Sequence, residues 1–423
     1  MNRYRSIVED INWWLFLVVV ALLPFPQLLL RYACVAWFVS WVLEGRWLKK
    51  PKPLITNRSS IIFLAFGAWY AWKLISYFWA SDSVAWAAQM ERYMTFALMI
   101  PVGLWGVNRN YSVRTIGKVL AVSCVIAVPF YVGLMTLLYK HREIIDTLQW
   151  RATWNYGMTD WYTFVSENIS CVKHRLFLCS VEMTGVVAAL YVWVNKKWLS
   201  AITIPVMLLS IPLTSSRQMI LTAIAILIIA ILYALPKAKR WRYGIAMFLI
   251  GAGVGFTLIK HHPRMAPFSI EDIVHVRQLD NNRDARLNIW GIALQQPADY
   301  SAYGVGGGQS RQYMIDHFQQ YQYDHYVEQG FHTHNQYLEE WMELGIGGLL
   351  LFVLAWLTVP LCARGPGRRT AVFFTTLFML NMFTDCMFAK FCGIALWAVG
   401  LVVILLQSDT EREEQTTGDT QTH

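Results

Sequence analysis

The chain has 423 residues, 56% of them hydrophobic and only 15% charged, with 20 Trp, 20 Tyr and 22 Phe. So many long apolar runs exceed what one soluble core can hide, whereas lipid solvates them, and the spanning elements must be helices because backbone groups in hydrocarbon bond within their own segment. The formal charge of +9 invites a nucleic-acid partner, but its placement along the chain says otherwise.

In chain order, the sequence predicts an all-α polytopic membrane protein with about twelve transmembrane helices. The spans are 7–23, 26–43, 59–78, 84–105, 115–139, 174–194, 198–214, 218–235, 241–259, 336–361, 371–386 and 388–407. The first apolar segment, Ile11 to Leu23, lacks a small-residue cleavage site and reads as a retained helix. Basic residues fall on alternate turns: Arg46, Lys49, Lys50, Lys52 and Arg58, then Arg109 and Arg114, then Lys196 and Lys197. Lys237, Lys239, Arg240 and Arg242 follow, and Arg364, Arg368 and Arg369 end the series. The turns at 24–25, 79–83 and 387 have no Lys or Arg. This is the positive-inside pattern, with both termini cytoplasmic, so the charge encodes topology and no nucleic-acid partner is expected.

Residues 1–407 read as a single integral membrane domain and 408–423 as a disordered cytoplasmic tail, acidic and Thr-rich. Two long connections, 140–173 and 260–335, fall outside, the second being a large loop between helices nine and ten. Trp150, Trp154, Tyr156 and Trp161 in the first suit the headgroup layer. The second is too long for a turn and is a candidate functional cap. The seven cysteines form no C-x-x-C pair, and no disulfide framework is expected.

Within the second loop, Arg283 to Leu294 reads as a short helix. Asp284 or Asn282 caps it, Leu287, Trp290, Ala293 and Leu294 form its apolar face, and Pro297 closes it. Arg283 and Arg286 lie on one side of that helix, positioned for lipid phosphate or for a ligand. Gly304, Gly306, Gly307 and Gly308 permit tight turns or close backbone approach, but they do not match a nucleotide phosphate loop. Arg217 ends the seventh span, where an arginine must pair, snorkel or serve a ligand. Glu91 with Arg92, and Glu182, are further ionisable groups within spans.

His334 is the best candidate for chemistry, because an imidazole accepts a proton near neutral pH and a sugar hydroxyl is a poor nucleophile unaided. It directly precedes Asn335, a cap for the helix that begins Tyr337-Leu338-Glu339-Glu340. His332, two residues away, shares its side if the backbone is extended. A His-x-His pair without a clear third ligand is weak evidence for a metal, and none is expected. A membrane-edge site with a proton acceptor and several cations suits chemistry on a lipid-borne, diphosphate-containing substrate.

These residues carry a resemblance. His334-Asn335-Gln336-Tyr337-Leu338 runs into Glu343-Leu344-Gly345-Ile346-Gly347-Gly348-Leu349, and upstream lie Arg286, Trp290, Pro297 and Gly304-Val305-Gly306. The chain thereby resembles the bacterial O-antigen ligase and polymerase superfamily, which also includes protein O-oligosaccharyltransferases. The resemblance implies a metal-independent enzyme without cofactors that uses an undecaprenyl-diphosphate-linked glycan at the outer face of the Gram-negative inner membrane. In the ligase branch the acceptor is a sugar hydroxyl of lipid A-core. By the same resemblance His334, Arg217 and Arg286 are the catalytic residues. Arg283, His332, Asn335, Tyr337, Arg92, Gly304, Gly306 and Asp385 are expected to bind substrate, Asp385 with Asn381 in a supporting role. Polymerase, protein glycosyltransferase and polytopic transporter are the competing functions.

Overall fold

The computed structural model describes residues 2–48, 58–107, 111–142, 161–193, 196–214, 218–219, 222–224 and 285–419. Its long helices are α1 (Asn2–Leu22), α2 (Gln27–Leu43), α3 (Ser59–Ile75), α4 (Ser83–Trp105) and α5 (Val113–Lys140). Next come α6 (Trp161–Val172), α7 (Arg175–Val192), α8 (Lys197–Leu208) and α9 (Ser210–Thr214). Four short helices precede the C-terminal ones: α10 (Ala285–Ala293), α11 (Ala298–Ser301), α12 (Ser310–Gln320) and α13 (Asp324–Gln329). The chain ends in α14 (Gln336–Cys362), α15 (Gly365–Met382) and α16 (Phe391–Asp419). No strand occurs among the described residues. The all-α expectation is met.

Among the described residues, six helices are long and apolar enough to cross a membrane. They cover 27–48, 60–78, 113–140, 175–192, 336–362 and 391–408. Helices α1, α4 and α15 also occupy positions expected of spans. The expected seventh span, 198–214, is divided into α8 and α9. Nearly all of the expected spans 218–235 and 241–259 lies outside the described residues, as do 143–160, 225–284, Arg217 and Arg283. Helix α16 continues to Asp419, past Ser408 where the tail was expected to lose structure.

The contacts divide the chain into two compact units. One comprises 1–44 with 108–266, and the other 45–107 with 267–423. In the first, the buried Asn12 is clasped between apolar helices. Its Nδ2 donates to Trp37 O at 3.0 Å and Ser40 Oγ at 2.8 Å, while Tyr111 Oη donates to its Oδ1 at 2.6 Å. Lys173 caps the end of α1 by donating to the carbonyls of Leu23 and Phe25, both at 2.9 Å. A cation there satisfies carbonyls that a helix end leaves orphaned.

In the second unit, α3 packs on α4 and α14, and α16 closes the group. Lipid tails are as apolar as leucine, so close packing and polar bonds, not exclusion of water, hold such helices together. Gly103 shows how close: a Cβ there would lie 2.3 Å from the Phe63 ring. Phe66 meets Trp397, and Phe96 meets Trp69 and Phe388, edge to face within this core. Above it, α10 to α13 form a small cap whose Ile289, Ile292, Tyr300, Met314 and Phe318 bury against Leu338 and Met342 of α14. The expected apolar face of α10 is met at Ala293, and Trp290 packs on the same core. Ile289 and Ile292 are its anchors, whereas Leu294 is exposed and Trp290 only half-buried. The partner surface, α14, decides which side turns inward.

Helix α14 is one segment by sequence, but it bends at Gly345, whose φ of 68° and ψ of −172° are open essentially to glycine alone. A Cβ at Gly345 would meet the Ala302 carbonyl oxygen at 2.4 Å. The bend leaves a short arm, 336–344, ahead of the long apolar portion. We expect Gly345→Ala to lower thermal stability in detergent by about 1–3 kcal/mol from backbone strain alone. Gly133→Ala, where nothing lies within 4 Å of the added carbon, is expected to be neutral or to stabilise by up to about 1 kcal/mol. Equal melting shifts in the two variants would contradict this assignment of the bend.

Candidate active site

The site grows from the turn that delivers α14. Asn335 has extended backbone and caps the helix, its Oδ1 accepting from the Leu338 amide at 3.1 Å. The buried Thr333 donates from Oγ1 to the Asn335 carbonyl at 3.1 Å, and its own carbonyl accepts from Trp290 Nε1 at 2.9 Å. Between these fixed neighbours, His334 adopts a left-handed φ of 48°. Such backbone in a non-glycine residue needs surrounding contacts to hold it. One comes from His332, whose Nδ1 accepts from the His334 amide at 3.1 Å. The two rings lie with centroids 4.1 Å apart. They share a side as expected, but through a tight turn and not an extended strand.

Asp385 arrives from the turn after α15. Its Oδ1 accepts from the Cys386 amide at 2.8 Å and lies 3.5 Å from His334 Nδ1. The Nδ1 atom has no hydrogen-bond partner, so this approach is an electrostatic contact without hydrogen-bond alignment. The His334 side chain is 21% exposed and that of Asp385 8%. Tyr337 points its hydroxyl to the Met379 carbonyl at 2.9 Å and so ties α14 to α15.

Two of the expected cations lie on neighbouring elements. Arg286 is half-buried on α10, one turn before Trp290, whose indole holds Thr333 and whose ring meets Phe383 edge to face at 5.5 Å. Helix α10 therefore lies beside the His334 turn. Arg92 reaches from α4 to the Ala389 carbonyl at 3.0 Å, on the same turn that carries Asp385. His332, His334 and Asp385 are thus brought together directly, with Asn335 capping the adjoining helix; Tyr337 is turned to the Met379 carbonyl, and Arg286 and Arg92 lie on elements that touch the two turns.

Gly304 and Gly306 lie elsewhere. Their amides donate to the carbonyls of Tyr300 and Glu343, both at 2.9 Å, and a Cβ at Gly304 would sit 2.2 Å from the Glu343 backbone. Close packing accounts for both glycines, Gly304 against α14 and Gly306 against Ala80, where an added Cβ would lie 2.7 Å from the Cα, and neither amide is open to a phosphate.

His332, His334 and Asp385 present ligand atoms within 4.8 Å of one another, as do His332, Glu339 and Cys386. The donor chemistry nonetheless fits a metal poorly. The Nδ1 lone pair of His332 already receives the His334 amide, so the neutral ring carries its proton on Nε2 and has no free lone pair. Burial, with Glu339 and Asp385 adding to it, pushes the Cys386 thiol well up, away from the thiolate that metals bind.

Sequence reasoning overlooked Lys73, Gln336, Glu340 and Glu343. Lys73 is completely buried, 3.2 Å from Glu340 Oε2 and 2.5 Å from Glu343 Oε2. A lysine inside an apolar helix and acidic residues opening another were the available signal, since such groups pair when buried.

These features define a multipass α-helical membrane protein with a polar site where a helical cap meets the bundle. Residues 202–353 match the family model described as O-Antigen ligase. The match supports membership of the O-antigen ligase superfamily and an O-antigen ligase- or polymerase-type function, within a glycosyltransferase-like enzyme family. No curated protein matches the chain.

The capping geometry is directly testable. Asn335→Ala should cost about 1 kcal/mol of stability, whereas Asn335→Ser should retain most of it. Hydrogen exchange at the Leu338 amide should rise in the alanine variant, and an unchanged rate there would contradict the cap.

Proposed function

We propose that the protein is an O-antigen ligase that transfers a glycan from undecaprenyl diphosphate to a sugar hydroxyl of lipid A-core. The observation that carries this reading is the His334–Asp385 pair at 3.5 Å, held on a turn fixed by His332, Trp290 and Asn335. It is supported by the O-antigen ligase match over residues 202–353, which spans His334 and Arg286.

In this mechanism the acceptor hydroxyl oxygen attacks the donor's anomeric carbon as His334 takes the hydroxyl proton. The bond from that carbon to the diphosphate oxygen breaks, and its electron pair leaves with undecaprenyl diphosphate. Attack opposite the leaving group inverts the anomeric configuration in a single displacement. Asp385 stabilises the imidazolium until it returns its proton to solvent. Arg286 and Arg217 hold the diphosphate, because a guanidinium fork makes paired hydrogen bonds to phosphate oxygens and balances the charge that develops there. Arg283 and Arg92 supply further positive charge at the edge, and the reaction needs neither metal nor nucleotide. The alternation of basic turns supports a periplasmic site in the Gram-negative inner membrane with both termini cytoplasmic.

The test is reconstitution of the purified chain with an undecaprenyl-diphosphate glycan and three separate acceptors: lipid A-core, a second lipid-linked glycan and a protein. Transfer to lipid A-core is expected, and a product formed only with another acceptor overturns the ligase assignment in favour of polymerase or protein glycosyltransferase. His334→Ala should insert normally and lose about 100- to 10,000-fold in rate. Arg286→Ala and Arg217→Ala should weaken donor binding. Full turnover by His334→Ala at normal protein levels would remove the histidine from the mechanism.

A further inference from the structure

The Glu343-Leu344-Gly345 motif has no role in the chemistry above, yet Glu343 accepts hydrogen bonds at both carboxylate oxygens from four residues. It is completely buried. Its Oε1 accepts from Gln89 Nε2 at 2.8 Å, Ser310 Oγ at 2.9 Å and the Gly308 amide at 3.1 Å. Its Oε2 accepts from Lys73 Nζ at 2.5 Å and Gln89 Nε2 at 3.0 Å. Backbone bonds reinforce the junction: Gly306 N donates to Glu343 O at 2.9 Å and Val305 N to Met342 O at 2.8 Å. One carboxylate thus gathers α3, α4 and the glycine loop onto the arm of α14, just ahead of its bend.

The bonding continues toward the site. Lys73 also meets Glu340, and Glu340 Oε1 accepts from Gln336 Nε2 at 2.8 Å. Gln336 Oε1 in turn accepts from the Phe388 amide at 3.0 Å. Phe388 belongs to the turn that carries Asp385, and Gln336 follows the His334-Asn335 pair. A polar path therefore runs from the glycine loop to Gln336 and the Phe388 amide, two residues after His334 and three after Asp385 in the chain.

A buried ion pair is a poor way to gain stability, because desolvation offsets its attraction and apolar replacements are often as stable. What such a pair does supply is geometry, since removing one partner strands the other. We propose that Glu343, together with Lys73, is a positioning residue for glycan transfer. It touches no substrate, and it sets the direction of the 336–344 arm so that His334 faces Asp385. This rests on the reading of His334 as proton acceptor.

The experiment uses the full chain in lipid nanodiscs, with an undecaprenyl-diphosphate glycan as donor and lipid A-core as acceptor. The double variant Lys73→Met/Glu343→Gln removes that pair at similar volume and leaves Glu340 to Gln336 and Trp69 alone. It is expected to fold with a melting temperature below that of the parent, because buried Glu340 loses its cation. Its kcat should fall by about ten- to a hundredfold, as small misplacements of reacting groups do, while the KM for donor is unchanged and amide exchange rises at Val305, Gly306 and Gly308. An unchanged kcat in the folded double variant overturns the proposal. If the double variant does not fold, Ser310→Ala, which leaves the ion pair intact, decides. A fall in kcat without a change in KM supports positioning, and parental kcat overturns it. His334→Ala in the same assay separates the two ideas. If it is inactive while the double variant is fully active, only the positioning role fails, and if it is active the proton-acceptor reading fails first.

Discussion

A lysine ammonium with no exposed side-chain surface cannot exist in an apolar interior unpaired, and the second unit is arranged around meeting that requirement. Lys73 sits in α3, its two carboxylates in α14, and the aromatic faces of Trp69 and Tyr93 lie 5.6 and 5.1 Å from its Nζ. Trp69 also donates its indole N–H to Glu340 at 3.0 Å. Each of these groups would be costly alone, so the register between α3 and α14 has little freedom. The glycine loop then closes the remaining acceptor positions on Glu343. Only glycine at 304 and 345 lets the backbone come near enough to do so.

From that anchored arm the site follows by short-range chemistry. The Asn335 cap ends the helix, Thr333 and Trp290 brace the preceding turn, and His332 receives the amide of a left-handed His334. The imidazole is then presented to Asp385 from a turn held at both ends. A group that must meet an incoming hydroxyl within hydrogen-bond reach benefits from such support, because its orientation is set before substrate arrives. The cap of short helices contributes in the same way, since its core packs directly on Leu338 and Met342.

Much of this was legible in the amino-acid order. The span expected at 84–105 is the helix 83–105, that at 336–361 is the helix 336–362, and Asn335 caps the latter as expected. These features rest on local hydropathy and capping, which a linear chain displays openly. The bend at Gly345 was hidden, because its cause is the Ala302 carbonyl arriving from a distant loop. The inward face of α10 was legible only in part: Ala293 and Trp290 pack on the core as expected, but Leu294 is as apolar as the buried Ile292 and is exposed, a distinction that only the surface of α14 makes. The proximity of His332 and His334 was anticipated, but the extended backbone invoked for it was not what the turn adopts. The ion-pair network escaped notice because Glu339, Glu340 and Glu343 look like the polar opening of an amphipathic helix until Lys73 is placed among them.

The central claim is that a lipid-linked diphosphate glycan meets an acceptor hydroxyl at His334, beneath the cap formed by α10 to α13. A structure of the full chain in a lipid nanodisc with undecaprenyl-diphosphate glycan bound tests it most directly. The account predicts phosphate oxygens within hydrogen-bond reach of the Arg286 guanidinium and the anomeric carbon turned toward His334. A diphosphate bound at the opposite end of α14, near Cys362, would contradict it.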